Sequence, residues 1–212
     1  MKNYSKLAIG LILVWFLFVL FGSALHLFTN NSNRIGIAVG IAALSPVAFF
    51  SLWFAASENF RRFTLSLNPR ILTSLHAWRA VGFTFVLLEA HRILPPVFAL
   101  PAGYGDMAIG ATAAFVAWKL ADPAHRNFFI LWQFLGIADL VIAVSLGTTA
   151  AWINPQGPST VLMTVLPLSL IPTFLVPLFL ILHIICIAQA KSWKVTSERP
   201  HPTMNPAHYA AT

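Results

Sequence analysis

Six long apolar stretches, separated by short polar connectors, set the pattern of this chain: Leu7 to Phe28, Ile35 to Ala56, Ile71 to Leu94, Val97 to Leu120, Phe128 to Ile153 and Thr160 to Ala190. Each reaches the roughly 20 residues that one bilayer crossing requires. The connectors carry turn and breaker residues, as in Asn68-Pro69, Pro95-Pro96, Asp122-Pro123 and Asn154-Pro155-Gln156-Gly157-Pro158. Such hairpins predict sequential antiparallel helices. Helix is the required assignment, because hydrocarbon leaves each backbone amide to find its partner within its own segment, and the runs are too long for barrel strands. The expected fold is therefore an all-α membrane protein, a bundle of six transmembrane helices.

Two stretches leave alternatives open. The first begins with Lys2 and Lys6 and reaches Gly22-Ser23-Ala24, a pattern that also suits a cleaved signal, which would leave five helices. The last covers 31 residues, about 46 Å of straight helix against a hydrocarbon core of about 30 Å. Pro167, Pro172 and Pro177 are expected to kink it, and a re-entrant or interfacial piece around Leu162 to Leu170 is the alternative. Residues 1–190 then form one transmembrane domain. The polar, Pro- and His-rich stretch 191–212 is expected to be a disordered tail.

Charge orients the bundle. Assigning connectors to alternate sides puts Lys2, Lys6, Arg61, Arg62, Arg70, Lys119, Arg126, Lys191, Lys194 and Arg199 on one side, and Arg34 and Arg92 on the other. By the positive-inside rule, both termini are expected in the cytoplasm of a bacterial-type cell, with the chain in its inner membrane. The formal net charge of +7 thus reports topology, and nucleic acid is not an expected partner. Composition agrees: 58% of residues are hydrophobic and 9% charged, where a soluble domain carries about 25% charged residues. The expected partners are the lipid bilayer, a small-molecule ligand and a second copy of the chain. The single cysteine, Cys186, excludes an intrachain disulfide.

Ionisable groups inside the apolar runs are the candidate chemistry, since each costs roughly 2.5–3.5 kcal/mol to insert unless it has a partner or a purpose. With the expected orientation, His76 and Arg79 fall in the inner half of the third helix, and Glu89 and His91 near its outer end. Asp106 lies in the outer part of the fourth helix and Asp139 near the middle of the fifth. The segment Leu94 to Asp106 holds Pro101, Gly103 and Gly105 and predicts an irregular helix start that, with Tyr104 and Asp106, binds a small polar ligand or ion. Its bland counterpart is close packing along Gly103, Asp106, Gly110, Ala113 and Ala117. Arg79 paired with Asp139 is equally readable as a structural ion pair, or Asp106 and Asp139 as proton carriers. The candidate ligand or proton site is thus Arg79, Glu89, Tyr104, Asp106 and Asp139.

Haem b is the alternative cofactor. His76 and His91 are 15 residues apart, about 22 Å on one helix, with His183 and His26 available as opposite axial ligands. A membrane electron carrier or a scaffold without ligand would follow from these alternatives. No glycine-rich phosphate loop, His-Glu-x-x-His or Gly-x-Ser-x-Gly motif is present in the sequence, so soluble-enzyme chemistry is not indicated.

Trp78-Arg79, the Pro-Ala-Gly-Tyr-Gly-Asp segment 101–106, Trp132, Gly136, Asp139-Leu140 and the proline-punctuated run to Leu182-His183 resemble a group of uncharacterised bacterial multi-pass membrane proteins. The resemblance extends over roughly residues 75 to 185. It implies a membrane protein and no particular activity.

Overall fold

A computed structural model of the chain describes residues 2–29 and 37–193. The expected tail beyond residue 193 and the connector holding Arg34 lie outside the described residues. Among the described residues every regular element is helical and no strand occurs.

The elements follow the apolar runs, with a short helix added after the second. Helix α1 is Lys2–Ala24 and α2 is Ile37–Ala56. The connector after α2, expected as a loop, folds into a short amphipathic helix α3, Glu58–Leu65. Ser57 caps it by accepting the Phe60 N–H at 3.3 Å, and Glu58 pairs with Arg62 one turn on. Its apolar side buries Phe60 and Phe63, with Phe60 stacked flat on Trp53 of α2 at 4.0 Å between ring centroids. The short polar run did not announce this helix because only two aromatic residues carry its apolar face.

Helix α4, Pro69–Ala90, starts at Asn68, whose side chain accepts the Arg70 N–H at 2.9 Å, with Pro69 pre-set for the first turn. Its middle, Leu75–Gly82, is a 3-10 stretch. Helix α5, Pro96–Lys119, is continuous, so the expected irregular start after Pro95 is not found. The Ala99 N–H reaches the Pro95 carbonyl at 2.9 Å, and Pro101 withholds a single amide donor from a helix that neighbours enclose. Helix α6 is Arg126–Ile153.

The last apolar run is divided. A 3-10 turn, Thr160–Thr164, precedes irregular chain with a cis Leu166–Pro167 bond, and α7 then runs Ile171–Ser192. The alternative reading of the segment before residue 171 as a separate piece therefore describes it better than one kinked helix. Pro172 and Pro177 supply no amide donors, and the first turn of α7, Ile171–Leu175, widens to a π-helix in which Val176 N–H bonds Ile171.

Five of these helices are long and apolar enough to cross a membrane: Tyr4–Ala24, Ile37–Ala56, Pro69–Ala90, the stretch Pro123–Ile153 and Ile171–Ser192. Large apolar side chains such as Phe18, Ile37, Leu52, Phe115 and Phe128 point outward from the bundle. A water-soluble domain does not expose such a contiguous apolar surface, so this is a membrane protein. At 24 residues, α5 is long enough as well, but Gly103, Tyr104, Gly105 and Asp106 lower its apolarity. Its position compensates, because α4 and α6 both pack along it and bury nine of its residues.

Helix α1 packs through Trp15 and Phe16 on Phe174, and buried Ser23 receives a hydrogen bond from Ser169 at 2.8 Å. The residues of the alternative cleavage site thus form part of the packed structure. At the other end, the Gln189 side-chain amide donates to the carbonyls of Leu67 at 2.7 Å and Thr64 at 3.2 Å, tying α3 to α7. Replacing Gln189 with leucine leaves these carbonyls without that donor, a loss of roughly 1–3 kcal/mol. Hydrogen exchange in residues 58–67 is expected to quicken in Gln189→Leu; unchanged exchange there would show that the tether is dispensable.

Candidate functional site

Four residues of α4 lie on its buried side at intervals of three: Thr73, His76, Arg79 and Gly82. A 3-10 helix has three residues per turn, so the 3-10 stretch lines up His76, Arg79 and Gly82 as a straight row. That row faces the inside of the bundle, His76 toward α6 and α7 and Gly82 toward α5, and Gly82 of α4 with Gly103 and Gly110 of α5 allows backbone-close approach. A methyl group on Gly110 would lie 2.9 Å from Ala80 Cα, and one on Gly103 3.0 Å from the Gly82 carbonyl oxygen.

Arg79 is the centre of the site. Its side chain is 1% exposed and bonded on every nitrogen. Nε donates to Asp106 Oδ1 of α5 at 2.7 Å, and Nη2 donates to Asp139 Oδ2 of α6. Nη1 donates to the Gly136 carbonyl at 3.2 Å and lies 3.3 Å from His183 Nε2 of α7. One guanidinium therefore joins four helices, and such charge-assisted bonds are among the stronger polar contacts available.

A hydrogen-bonded series continues from it. His183 Nδ1 is 2.5 Å from Gln133 Oε1, so Nδ1 carries the proton and Nε2 is left to accept from Arg79. Gln133 Nε2 donates to Thr73 Oγ1 at 3.4 Å, and Thr73 Oγ1 lies 3.7 Å from Cys186 Sγ. His76 stacks on His183 with centroids 3.9 Å apart, enclosed also by Trp132 and Phe179. Gly136 makes room for this arrangement, since any larger residue there would strike the His183 ring.

The two carboxylates differ from the arginine in access. Side-chain exposure is 16% for Asp106 and 14% for Asp139. Asp106 and Arg79 line a cavity of about 250 Å³ whose other walls include Trp78, Phe85, Leu140, Ile171 and Phe179. A second cavity of about 70 Å³, on the side of α2, shares Phe85, Asp106, Leu140, Ile171 and Val176 with the first.

Of the five residues proposed from sequence, the structure brings together Arg79, Asp106 and Asp139. Glu89 is half-buried near the end of α4 and makes no ion pair among the described residues. Tyr104 is exposed on the outer side of α5, because residues two apart on a helix point to nearly opposite sides. Gln133, Gly136 and Thr73 join the cluster without having been proposed for it. Their signal was present as a repeat of three, Gln133–Gly136–Asp139 on α6 matching Thr73–His76–Arg79 on α4.

The haem alternative does not fit this arrangement. Axial histidines must face each other across an iron, with each ligating nitrogen about 2 Å from the metal. His76 and His183 instead stack face to face at 3.9 Å, with both His183 nitrogens engaged by Arg79 and Gln133. His26 and His91 are exposed near helix ends, and His91 Nδ1 is 2.8 Å from the Leu87 carbonyl. No three His, Cys, Asp or Glu side chains among the described residues group as a metal site.

An apolar-surfaced helical bundle with a buried arginine held between two aspartates defines a membrane protein carrying an internal ionic cluster. The chain belongs to the family described as Domain of unknown function (DUF8737), whose model matches residues 34–190. The matched stretch holds α2 to α6, all but the last two residues of α7, and every residue of the cluster. No curated protein and no solved structure matches the chain.

Proposed function

We propose that the protein is a six-span bacterial inner-membrane protein, with α1 retained and both termini cytoplasmic, that binds or moves a proton or a small solute at the Arg79–Asp106–Asp139 cluster. The observation that carries this reading is the difference in access: the Arg79 side chain is 1% exposed and lines the larger cavity only, while that of Asp106 is 16% exposed and lines both. Two carboxylates share one guanidinium, which leaves one formal negative charge to be balanced. Inside a bundle of low polarity, a proton or a cationic solute provides that balance at far lower cost than leaving the charge bare.

The bonding of every guanidinium nitrogen of Arg79 favours a second reading, in which the cluster is a clamp between α4, α5, α6 and α7 and takes no ligand. Proteoliposomes with an entrapped pH dye separate the two. Wild-type protein is expected to collapse an imposed pH gradient, and Asp106→Asn to fall to the protein-free rate while remaining monodisperse. A wild-type rate equal to that of empty vesicles would leave the clamp alone standing.

A further inference from the structure

We infer that the larger cavity takes a small organic monocation with an apolar body, entering from the lipid side in exchange for a proton; this deepens, and rests on, the reading of the Arg79 cluster as a ligand site. Three features of the cavity select this class.

Charge is the first. Arg79 and Asp106 both line the cavity, but the guanidinium uses Nε, Nη1 and Nη2 on protein acceptors, whereas Asp106 gives Oδ1 to Arg79. What the wall offers a ligand is therefore a hydrogen-bond acceptor with negative charge. A ligand bringing an ammonium group meets it; a carboxylate or phosphate meets repulsion instead.

Shape and lining are the second. A volume of about 250 Å³ equals that of roughly eight liquid waters and falls just below the ~300 Å³ at which drug-sized pockets begin. One ring with a short arm fills it. Trp78, Phe85 and Phe179 bring aromatic surface to the wall, and such rings attract a desolvated cation as well as packing an apolar body.

Access is the third. Trp78 and Val81 on the cavity rim are 72% and 52% exposed, on the apolar outer surface of α4. Across the opening stand Pro167 and Leu168, in the irregular chain before α7. The mouth thus faces lipid, where an amphiphilic cation accumulates. When the monocation enters beside Asp106, one proton leaves the site for water, so the total charge of the cluster and its occupant is unchanged.

The test uses the full chain in detergent and three probes of similar size: 2-phenylethylammonium, neutral 2-phenylethanol and anionic phenylacetate. The ammonium is expected to bind about tenfold or more tighter than the alcohol, as one charge-assisted hydrogen bond would give, and to release about one proton in lightly buffered solution. Asp106→Asn should erase the preference for the ammonium while keeping weak alcohol binding. Leu168→Trp, which fills the cavity without touching the ion pairs, should abolish binding of both and carries the test if Asp106→Asn fails to fold. Equal binding of ammonium and alcohol, tightest binding of phenylacetate, or no binding of any probe overturns the inference. If that happens while the wild-type pH-gradient collapse persists and depends on Asp106, the proton site survives and only the substrate class is wrong.

Discussion

Arg79→Met is expected to remove most of the folded protein, and adding Asp106→Asn and Asp139→Asn to the same chain to restore much of it. The physical reason lies in what each change leaves behind. Among the described residues Arg79 is the sole cation bonded to the two aspartates, and its removal places two carboxylates side by side in a site that water barely reaches. Breaking a buried ion pair by deleting one partner costs roughly 3–5 kcal/mol because an uncompensated charge remains. The Gly136 carbonyl and His183 Nε2 also lose their donor. Neutralising both carboxylates removes the repulsion, and the methionine then packs as an ordinary apolar side chain near Phe179. The yield of monodisperse protein and its thermal midpoint measure both halves of this prediction. A single mutant melting within about 2 °C of wild type, or a triple mutant no better than the single one, would show that the cluster does not hold the helices together.

The second large effect concerns the contact between α4 and α5. Gly110→Ala is expected to destabilise by roughly 1–3 kcal/mol, although alanine is the better helix former by about 1 kcal/mol. The added methyl would strike the Ala80 backbone, with the Arg79 carbonyl carbon 3.0 Å away. Backbone cannot rotate aside as a side chain does, so α4 must shift as a whole and draw Arg79 away from Asp106. Gly40→Ala is the matched control, because its methyl meets nothing within 4 Å and α2 continues on both sides. It should be neutral or gain up to about 1 kcal/mol. Unfolding of both variants in the same detergent would decide the matter, and equal midpoints would mean that α4 and α5 are less closely held than their glycines indicate.

Much of the architecture was legible from the chain because each apolar run must satisfy its own backbone in lipid. The runs around α1, α2, α4, α5 and α6 appear as helices within about five residues of their expected limits, whereas α7 begins only at Ile171, well inside the last run. The amphipathic α3 was not legible, since eight residues in a polar connector give no periodic signal until Phe60 finds Trp53. The irregularity expected in α5 lies instead in the middle of α4 and before α7. Pro101 and the nearby glycines announce a possible break, but glycine also permits close approach, and against the 3-10 row of α4 that second use prevails.

The candidate site divides in the same way. Arg79, Asp106 and Asp139 stood out because a charge inside an apolar run has to be paired. Tyr104 was proposed for lying beside Asp106 and Glu89 as an acid inside an apolar run, and helical geometry separates both from the cluster. His76 and His183 invited a metal reading on spacing alone; the fold stacks them and binds both nitrogens of His183 to neighbours.

By itself, then, the sequence determined a membrane-embedded helical chain with internal charges in need of partners, because solvent preference is a property of each residue and sums along the chain. Which charges meet, that one arginine serves two aspartates, and that Asp106 alone of the described acids opens on the two cavities were decided by tertiary structure. Those outcomes depend on the azimuth of each side chain, and a change from 3.6 to 3.0 residues per turn over Leu75–Gly82 rotates every one of them.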